Sequence, residues 1–264
     1  MKLGMIGAGN MGKAILGGIL SSGRAVAGDV LVSNRTQPAL DMMREEFGLD
    51  GTRDNCQVAQ WAQVLFLAVK PQMYEAVIAQ IAPVVREDAV VVTMAPGWTL
   101  DRLEQAFGRP VKLVRTMPNT PAMVSEGMTA VCANDRVTPE ELEGVCRLLE
   151  GCGRCAVIGE SMMDAVVAVS GSSPAYVYLF IEALADGAVR EGMPRAMAYQ
   201  FAAQAVLGSA KMVLETGRHP GELKDMVCSP AGTTIEAVRV LEQKGFRSSV
   251  LEAMKACADK CRGM

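Results

Sequence analysis

Near the amino terminus, Gly7-Ala8-Gly9-Asn10-Met11-Gly12 follows the short apolar run Leu3–Ile6 and leads into the helical pattern Lys13–Ser22. No other feature restricts the fold as much. A G-x-G-x-x-G between strand and helix suits a dinucleotide: the first glycine allows the turn, the second lets backbone approach pyrophosphate, and the third lets helix pack on strand. Free N–H groups at the helix start complete an anion site. Isolated glycine motifs are common by chance, so the weight comes from the strand before and the helix after.

The rest of the first half repeats that alternation. Val30–Val32, Val64–Val69, Ala89–Thr93, Val111–Arg115 and Thr129–Cys132 are apolar runs of strand length, most separated by helical patterns such as Pro38–Phe47, and Gly153–Ile158 reads as a last strand. This predicts an α/β fold, an N-terminal Rossmann doubly wound, mostly parallel sheet. After Gly159 strand-like runs stop, and Ser161–Val169, Pro174–Glu191, Pro194–Glu215 and Arg247–Lys260 carry helical patterns. The second half is therefore all-α, with the boundary at residue 160: residues 1–160 bind the cofactor, and 161–264 form a helical substrate-binding and dimerisation domain. A length of 264 residues accommodates this, at about 150 residues per domain. Within the helical half, Ala175–Ala185 is apolar nearly all round apart from Glu182. Such a helix needs cover on several sides, which points to a homodimer of interlocked helices, with a central helix of a monomeric bundle as the alternative.

Composition removes other classes. With 26 basic against 29 acidic side chains the net charge is −3, which offers no footprint for nucleic acid or an anionic membrane. No charge-free apolar stretch of about 18 residues is present, so no membrane span is expected. The single histidine, His219, limits triads and multi-histidine metal sites, and it reads as structural before Pro220. Eight cysteines scattered through apolar segments, with no leader read at the start, imply reduced thiols and a cytoplasmic location. Cys152 and Cys155 form a C-x-x-C without a second ligand pair or a thioredoxin-like context, so they read as buried thiols and no metal site is expected.

The end of the second strand decides which dinucleotide. An NAD-binding domain places a carboxylate there for the ribose 2′-hydroxyl. This chain has Ser33-Asn34-Arg35-Thr36 instead, a set of donors for a 2′-phosphate, with Arg35 able to pair charge and stack on adenine. NADPH is the expected cofactor and NADH the alternative. Asp29 precedes the strand and should lie at its far end. Ala68-Val69-Lys70-Pro71 ends a strand on the ligand-binding edge, where Lys70 meets ribose or phosphate or is an exposed lysine before a helix. Asn119, in Met117-Pro118-Asn119-Thr120-Pro121, either hydrogen-bonds the nicotinamide side or shapes a turn.

Towards the C-terminus, Ile235, Val238 and Leu241 mark a helix whose start is Ser229–Thr234. Small residues, free N–H groups and the hydroxyls of Ser229, Thr233 and Thr234 around Ala231-Gly232 form a candidate carboxylate cradle. Ordinary N-capping explains one hydroxyl but not the cluster.

Taken together, G-A-G-N-M-G, the N-R-T at Asn34–Thr36, A-V-K-P-Q from Ala68, M-P-N-T-P from Met117, S-G-S-S-P-A-Y from Ser170, H-P-G-E-L from His219 and the run Val227–Glu242 resemble the pyrroline-5-carboxylate reductase family over the whole chain. The departures are local: Ser173 and Ala231 stand where the family usually has glycine, Pro96 where it often has alanine, and Cys228 where it has Ser or Thr. The resemblance implies NAD(P)H-dependent reduction of 1-pyrroline-5-carboxylate to L-proline, in a dimer or a higher ring such as a decamer. It implies that Ser229, Ala231, Gly232, Thr233 and Thr234 hold the substrate carboxylate, with Thr234 at the ring nitrogen as the catalytic candidate. It adds Asn55, Ala95 and Pro96 to the cofactor side. The inventory agrees, because a protonated cyclic imine is already electrophilic and its reduction needs mainly orientation, not a histidine. A β-hydroxyacid dehydrogenase would need a lysine about four residues beyond the glycine-rich turn that opens its second domain, and here no lysine follows Gly171 until Lys211. A non-catalytic NADP-binding sensor would not need the carboxylate cradle.

Overall fold

The computed structural model describes residues 1–263. Eight strands form one sheet: β1 (Leu3–Ile6), β2 (Val30–Ser33), β3 (Asp50–Thr52), β4 (Val64–Leu67), β5 (Val90–Thr93), β6 (Lys112–Met117), β7 (Gly127–Ala133) and β8 (Gly153–Val157). Their order is β3-β2-β1-β4-β5-β6-β7-β8, and only β6 and β7 run antiparallel. The order reverses between β1 and β4, the switch point where a crevice opens at the carboxyl ends of the strands.

The helices are α1 (Asn10–Ser21), α2 (Gln37–Phe47), α3 (Asn55–Trp61), α4 (Tyr74–Ile81), α5 (Leu100–Phe107), α6 (Pro139–Leu149), α7 (Met163–Val166), α8 (Ser173–Arg190), α9 (Arg195–Thr216), α10 (Pro220–Val227), α11 (Thr233–Gln243) and α12 (Phe246–Arg262). The central strands are apolar along their length because helices cover both faces. Leu65, Leu67 and Val91 pack with α3, α4 and α5 on one side. Phe66, Val90 and Val92 pack with Ile15, Leu16 and Ile19 of α1 on the other.

Two features differ from the sequence reading. The edge strand β3 carries no large apolar residue and has no hydrophobic signature; pairing with β2 alone makes Asp50-Gly51-Thr52 extended. Strand patterns do end near residue 160, but the first compact unit continues to Ser172 and takes back the C-terminal segment from Cys257. Specific bonds hold the extra segment. Arg115 Nη1 meets Glu160 Oε1 at 2.7 Å, Asn119 bonds Ser170, and the Cys261 thiol donates to Asp164 at 3.7 Å.

The second unit, Ser173–Ala256, is entirely helical. Among its described residues only Ala185, Ala198 and Ala202 make a fully buried apolar cluster, whereas Leu179, Phe201 and Leu251 are each more than 60% exposed. That is too little core for a unit of this size, since burial of apolar surface is the main favourable term in folding. Glu160–Arg190 is long and apolar enough by length and composition to cross a membrane, and little of its most apolar part is buried. It is not a charge-free stretch of the kind sought in the sequence, because it carries Glu160, Asp164, Glu182, Asp186 and Arg190.

Candidate functional site

The glycine loop separates into positions demanded by the protein and one that is not. A Cβ on Gly7 would lie 2.8 Å from the Ala68 carbonyl, and its φ of +98° lies in the region that favours glycine. A Cβ on Gly12 would lie 2.5 Å from the Gly7 carbonyl, so α1 can approach β1 only with glycine there. Gly9, the N-cap of α1, is exposed, has extended backbone, and would place a Cβ with nothing within 4 Å. No protein contact requires a glycine at that position. A pyrophosphate seated on the free N–H groups of the α1 start would. This is the fit expected of a dinucleotide cradle. Ala8 supplies backbone alone, its methyl lying in the core.

Gly9, Asn10 and Met11 line a cavity of about 520 Å³ together with Ala68, Val69 and Lys70 after β4 and Asn119 after β6. The sequence reading placed all of these on the cofactor side. The cavity is also lined by Met117, which opens the Met117–Pro121 segment, and by Met94 and Gly171, neither of which is among the residues expected on the cofactor side. Ala95 and Pro96 do not line it: Ala95 is in the core, and Met94 takes the expected place. Pro71 receives a hydrogen bond on its carbonyl from Trp98 Nε1 at 3.2 Å, so its role is to shape the turn carrying Lys70.

At the adenosine end the expected donor set shrinks. Ser33 is fully buried, and its hydroxyl donates to Asn55 Oδ1 at 2.7 Å, while Asn55 Nδ2 donates to Gln80 at 2.9 Å. These bonds brace the ends of β2 and α3, and the Ser33 carbonyl accepts the Gly7 N–H at 2.9 Å. Asn34, Arg35 and Thr36 remain available. Arg35 is exposed and forms no ion pair among the described residues. Asp29 pairs with the Met1 amino group at 3.5 Å, at the opposite end of β2.

Tyr74 is a further positioning residue without a sequence signal beyond being aromatic at a helix start. Its hydroxyl donates to the Leu67 carbonyl at 2.7 Å and accepts the Met94 N–H at 3.1 Å. With Leu67 opposite Thr93 in the ladder, this carbonyl and amide are the pair that would form the next parallel rung. The hydroxyl bridges them instead, where the two cavity-lining loops part. Burial pushes the phenol well above its ordinary value, so it remains a donor.

Asn119 uses its amide within the protein. Nδ2 donates to Ser170 O and Oγ, each at 3.2 Å, and Oδ1 accepts the Met128 N–H at 2.9 Å. The turn reading is therefore the one its side chain follows. These bonds anchor the π-helical turn Val167–Gly171, which brings Gly171 to the cavity wall.

In the second unit, Gly232 is the N-cap of α11, and no side chain caps the helix. The hydroxyls of Ser229, Thr233 and Thr234 form no hydrogen bond among the described residues, so ordinary capping does not explain the cluster. A Cβ on Gly232 would sit 2.3 Å from Ser229 Oγ, and Gly232 N–H closes a turn on the Ser229 carbonyl at 3.0 Å. Ala231 adopts φ +56°, a strain of roughly 1 kcal/mol relative to glycine. This is the position where the family pattern has glycine. His219 caps α10, its Nδ1 accepting Gly221 N–H at 3.1 Å.

The two cysteines of the C-x-x-C face different neighbours. Cys152 donates to the Ile15 carbonyl at 3.3 Å, and burial pushes its thiol up to about 11. Cys155 shares a hydrogen bond with Cys146, which lowers Cys146 and raises Cys155.

The chain's similarities to known proteins extend over nearly its whole length. Residues 160–264 match the family model described as pyrroline-5-carboxylate reductase dimerisation, and residues 2–97 match that described as NADP oxidoreductase coenzyme F420-dependent. A pyrroline-5-carboxylate reductase of Escherichia coli (strain K12) is 54% identical over 98% of this chain and 96% of its own. One of Methanosarcina acetivorans is 40% identical over 99% and 97% respectively. The crystal structure of a Plasmodium falciparum pyrroline carboxylate reductase with NADP bound superposes with a TM-score of 0.91, at 30% identity, covering 100% of this chain and 97% of that one. A glycine cradle at the sheet's switch point, an uncapped helix start with free hydroxyls and these full-length similarities agree, and the chain belongs to the pyrroline-5-carboxylate reductase family.

Proposed function

We propose that this protein reduces 1-pyrroline-5-carboxylate to L-proline with NADPH, the last step of proline biosynthesis. The observation that carries the reading is 54% identity over 98% of the chain to a reductase of that name. When bound, the cofactor supplies the hydride. The chain's own residues hold and orient. The α1 start receives pyrophosphate over Gly9, and Asn34, Arg35 and Thr36 receive the 2′-phosphate, with NADH as the weaker alternative. The Ser229–Thr234 loop offers the substrate carboxylate the N–H groups of the α11 start and its hydroxyls, with Thr234 contacting the ring nitrogen. Substrate arrives with its imine protonated and leaves as a neutral amine, so orientation suffices.

The test is NADPH and NADH oxidation by purified protein with 1-pyrroline-5-carboxylate, beside a panel of small hydroxyacids run in the oxidative direction. Turnover is expected only with the imine and faster with NADPH. Thr234→Val is expected to lower kcat/KM by roughly tenfold, the worth of one hydrogen bond to a charged group. A full kcat/KM across the pH range removes Thr234 from the ring nitrogen.

The exposed apolar helix faces of Ser173–Ala256 support a homodimer through the C-terminal helices, and a higher ring such as a decamer would be built from such pairs. Sedimentation without detergent is expected to give twice the 28.0 kDa chain mass or an even multiple of it; a monomer overturns this. The near-balanced charge supports small-molecule partners rather than nucleic acid or a membrane surface, and the dispersed cysteines support a cytoplasmic location.

A further inference from the structure

The adenosine end contains a second unengaged cation, contributed by the strand that has no apolar signature. In the ladder Thr52 of β3 stands opposite Ser33 of β2, and the Asn34 N–H donates to the Thr52 carbonyl at 3.2 Å. Arg53 therefore leaves β3 at the same sheet edge, alongside Asn34-Arg35 leaving β2. Both arginines are exposed, and neither has a hydrogen bond or ion pair among the described residues.

The nearby carboxylates are occupied elsewhere. Asp54 Oδ1 accepts the Cys56 N–H at 2.8 Å as the cap of α3, and Asp50, at the other end of β3, meets Arg44 at 3.7 Å. The connection itself is held in place, because Asn55 is fixed by Ser33 and Gln80 and the Asp54 N–H donates to Thr52 Oγ1 at 3.1 Å. Two guanidinium groups carried on adjacent braced strand ends suit a dianion, since guanidinium forks match phosphate geometry.

We infer that Arg53 joins Arg35 in a two-arginine clamp on the cofactor's 2′-phosphate and sets the preference for NADPH over NADH. The inference rests on the reading of the protein as an NADPH-dependent reductase. The decisive measurement is calorimetric affinity for NADP+ and for NAD+, in wild type, Arg53→Gln and Arg35→Gln.

Arg53→Gln is expected to reduce the ratio of NAD+ to NADP+ dissociation constants by about tenfold, the loss of one charged contact to phosphate. Arg53→Lys, which keeps the charge without the fork, should restore part of it. An unchanged ratio overturns the clamp, and so does equal weakening of both ligands, which would mean a structural role. Because binding is read directly, a clamp that fails while 1-pyrroline-5-carboxylate is still reduced leaves the enzymatic reading intact. Tight NADP+ binding without that turnover faults the enzymatic reading alone.

Discussion

Replacing Gly9 by alanine is expected to weaken NADPH binding by roughly tenfold to a hundredfold, because one or two charge-assisted hydrogen bonds to pyrophosphate are lost. The thermal midpoint should hardly move. The backbone at Gly9 is extended and its Cβ would meet no protein atom within 4 Å, so the protein loses only an N-cap preference, less than about 1 kcal/mol. Gly12→Ala is the contrast. Its Cβ would lie 2.5 Å from the Gly7 carbonyl, a backbone atom that cannot turn aside, so stability and binding should both fall. Calorimetry with NADPH and a thermal melt on each variant separate the two cases. A Gly9→Ala protein that binds as tightly as wild type would remove the pyrophosphate from this position.

Glu160→Ala should produce a large loss of stability although no hydrophobic side chain is removed. Arg115, in the middle of β6, is 4% exposed, and Glu160 Oε1 is its counter-ion at 2.7 Å while also accepting the Leu100 N–H at 2.8 Å. Removing the carboxylate leaves a buried guanidinium and a buried amide unpaired, a cost of about 3 kcal/mol or more. For a chain of this size that lowers the midpoint by about 10 °C. The exposed pair Arg86–Asp88 serves as the comparison, and Asp88→Ala there should change stability by less than about 1 kcal/mol. Urea denaturation of both variants decides it. A Glu160→Ala loss as small as that of Asp88→Ala would show that Arg115 reaches another partner or water.

Legibility in the sequence followed the kind of signal each residue carries. The strands with apolar runs, the glycine loop, Lys70 and the Ser229–Thr234 cluster were readable because hydrophobic period, turn chemistry and helix-start chemistry are local. Ser33 marks the limit of such local signals, because a hydroxyl after a strand looks the same whether or not it donates to a side chain such as Asn55, 22 residues further on. Tyr74 and Met94 carry no motif of their own; they reach the cavity or brace it through contacts between segments distant in the chain. The strand β3 was missed for a related reason, since its conformation comes from its neighbour and not from its composition.

What the sequence determined by itself was the class of fold, the family and the chemistry on offer: a strand–glycine–helix unit, no carboxylate after the second strand, one histidine, and a helix start rich in hydroxyls. Only the tertiary structure decided which of these groups remain free. Ser33, Asn55 and Asn119 spend their side-chain polar atoms on the protein, whereas the Gly9 N–H, the Arg35 and Arg53 guanidinium groups and the Ser229, Thr233 and Thr234 hydroxyls do not. The physical reason is that a polar group bonds whatever lies within about 3 Å of it, and proximity across 20 or 50 residues of chain is a property of the fold.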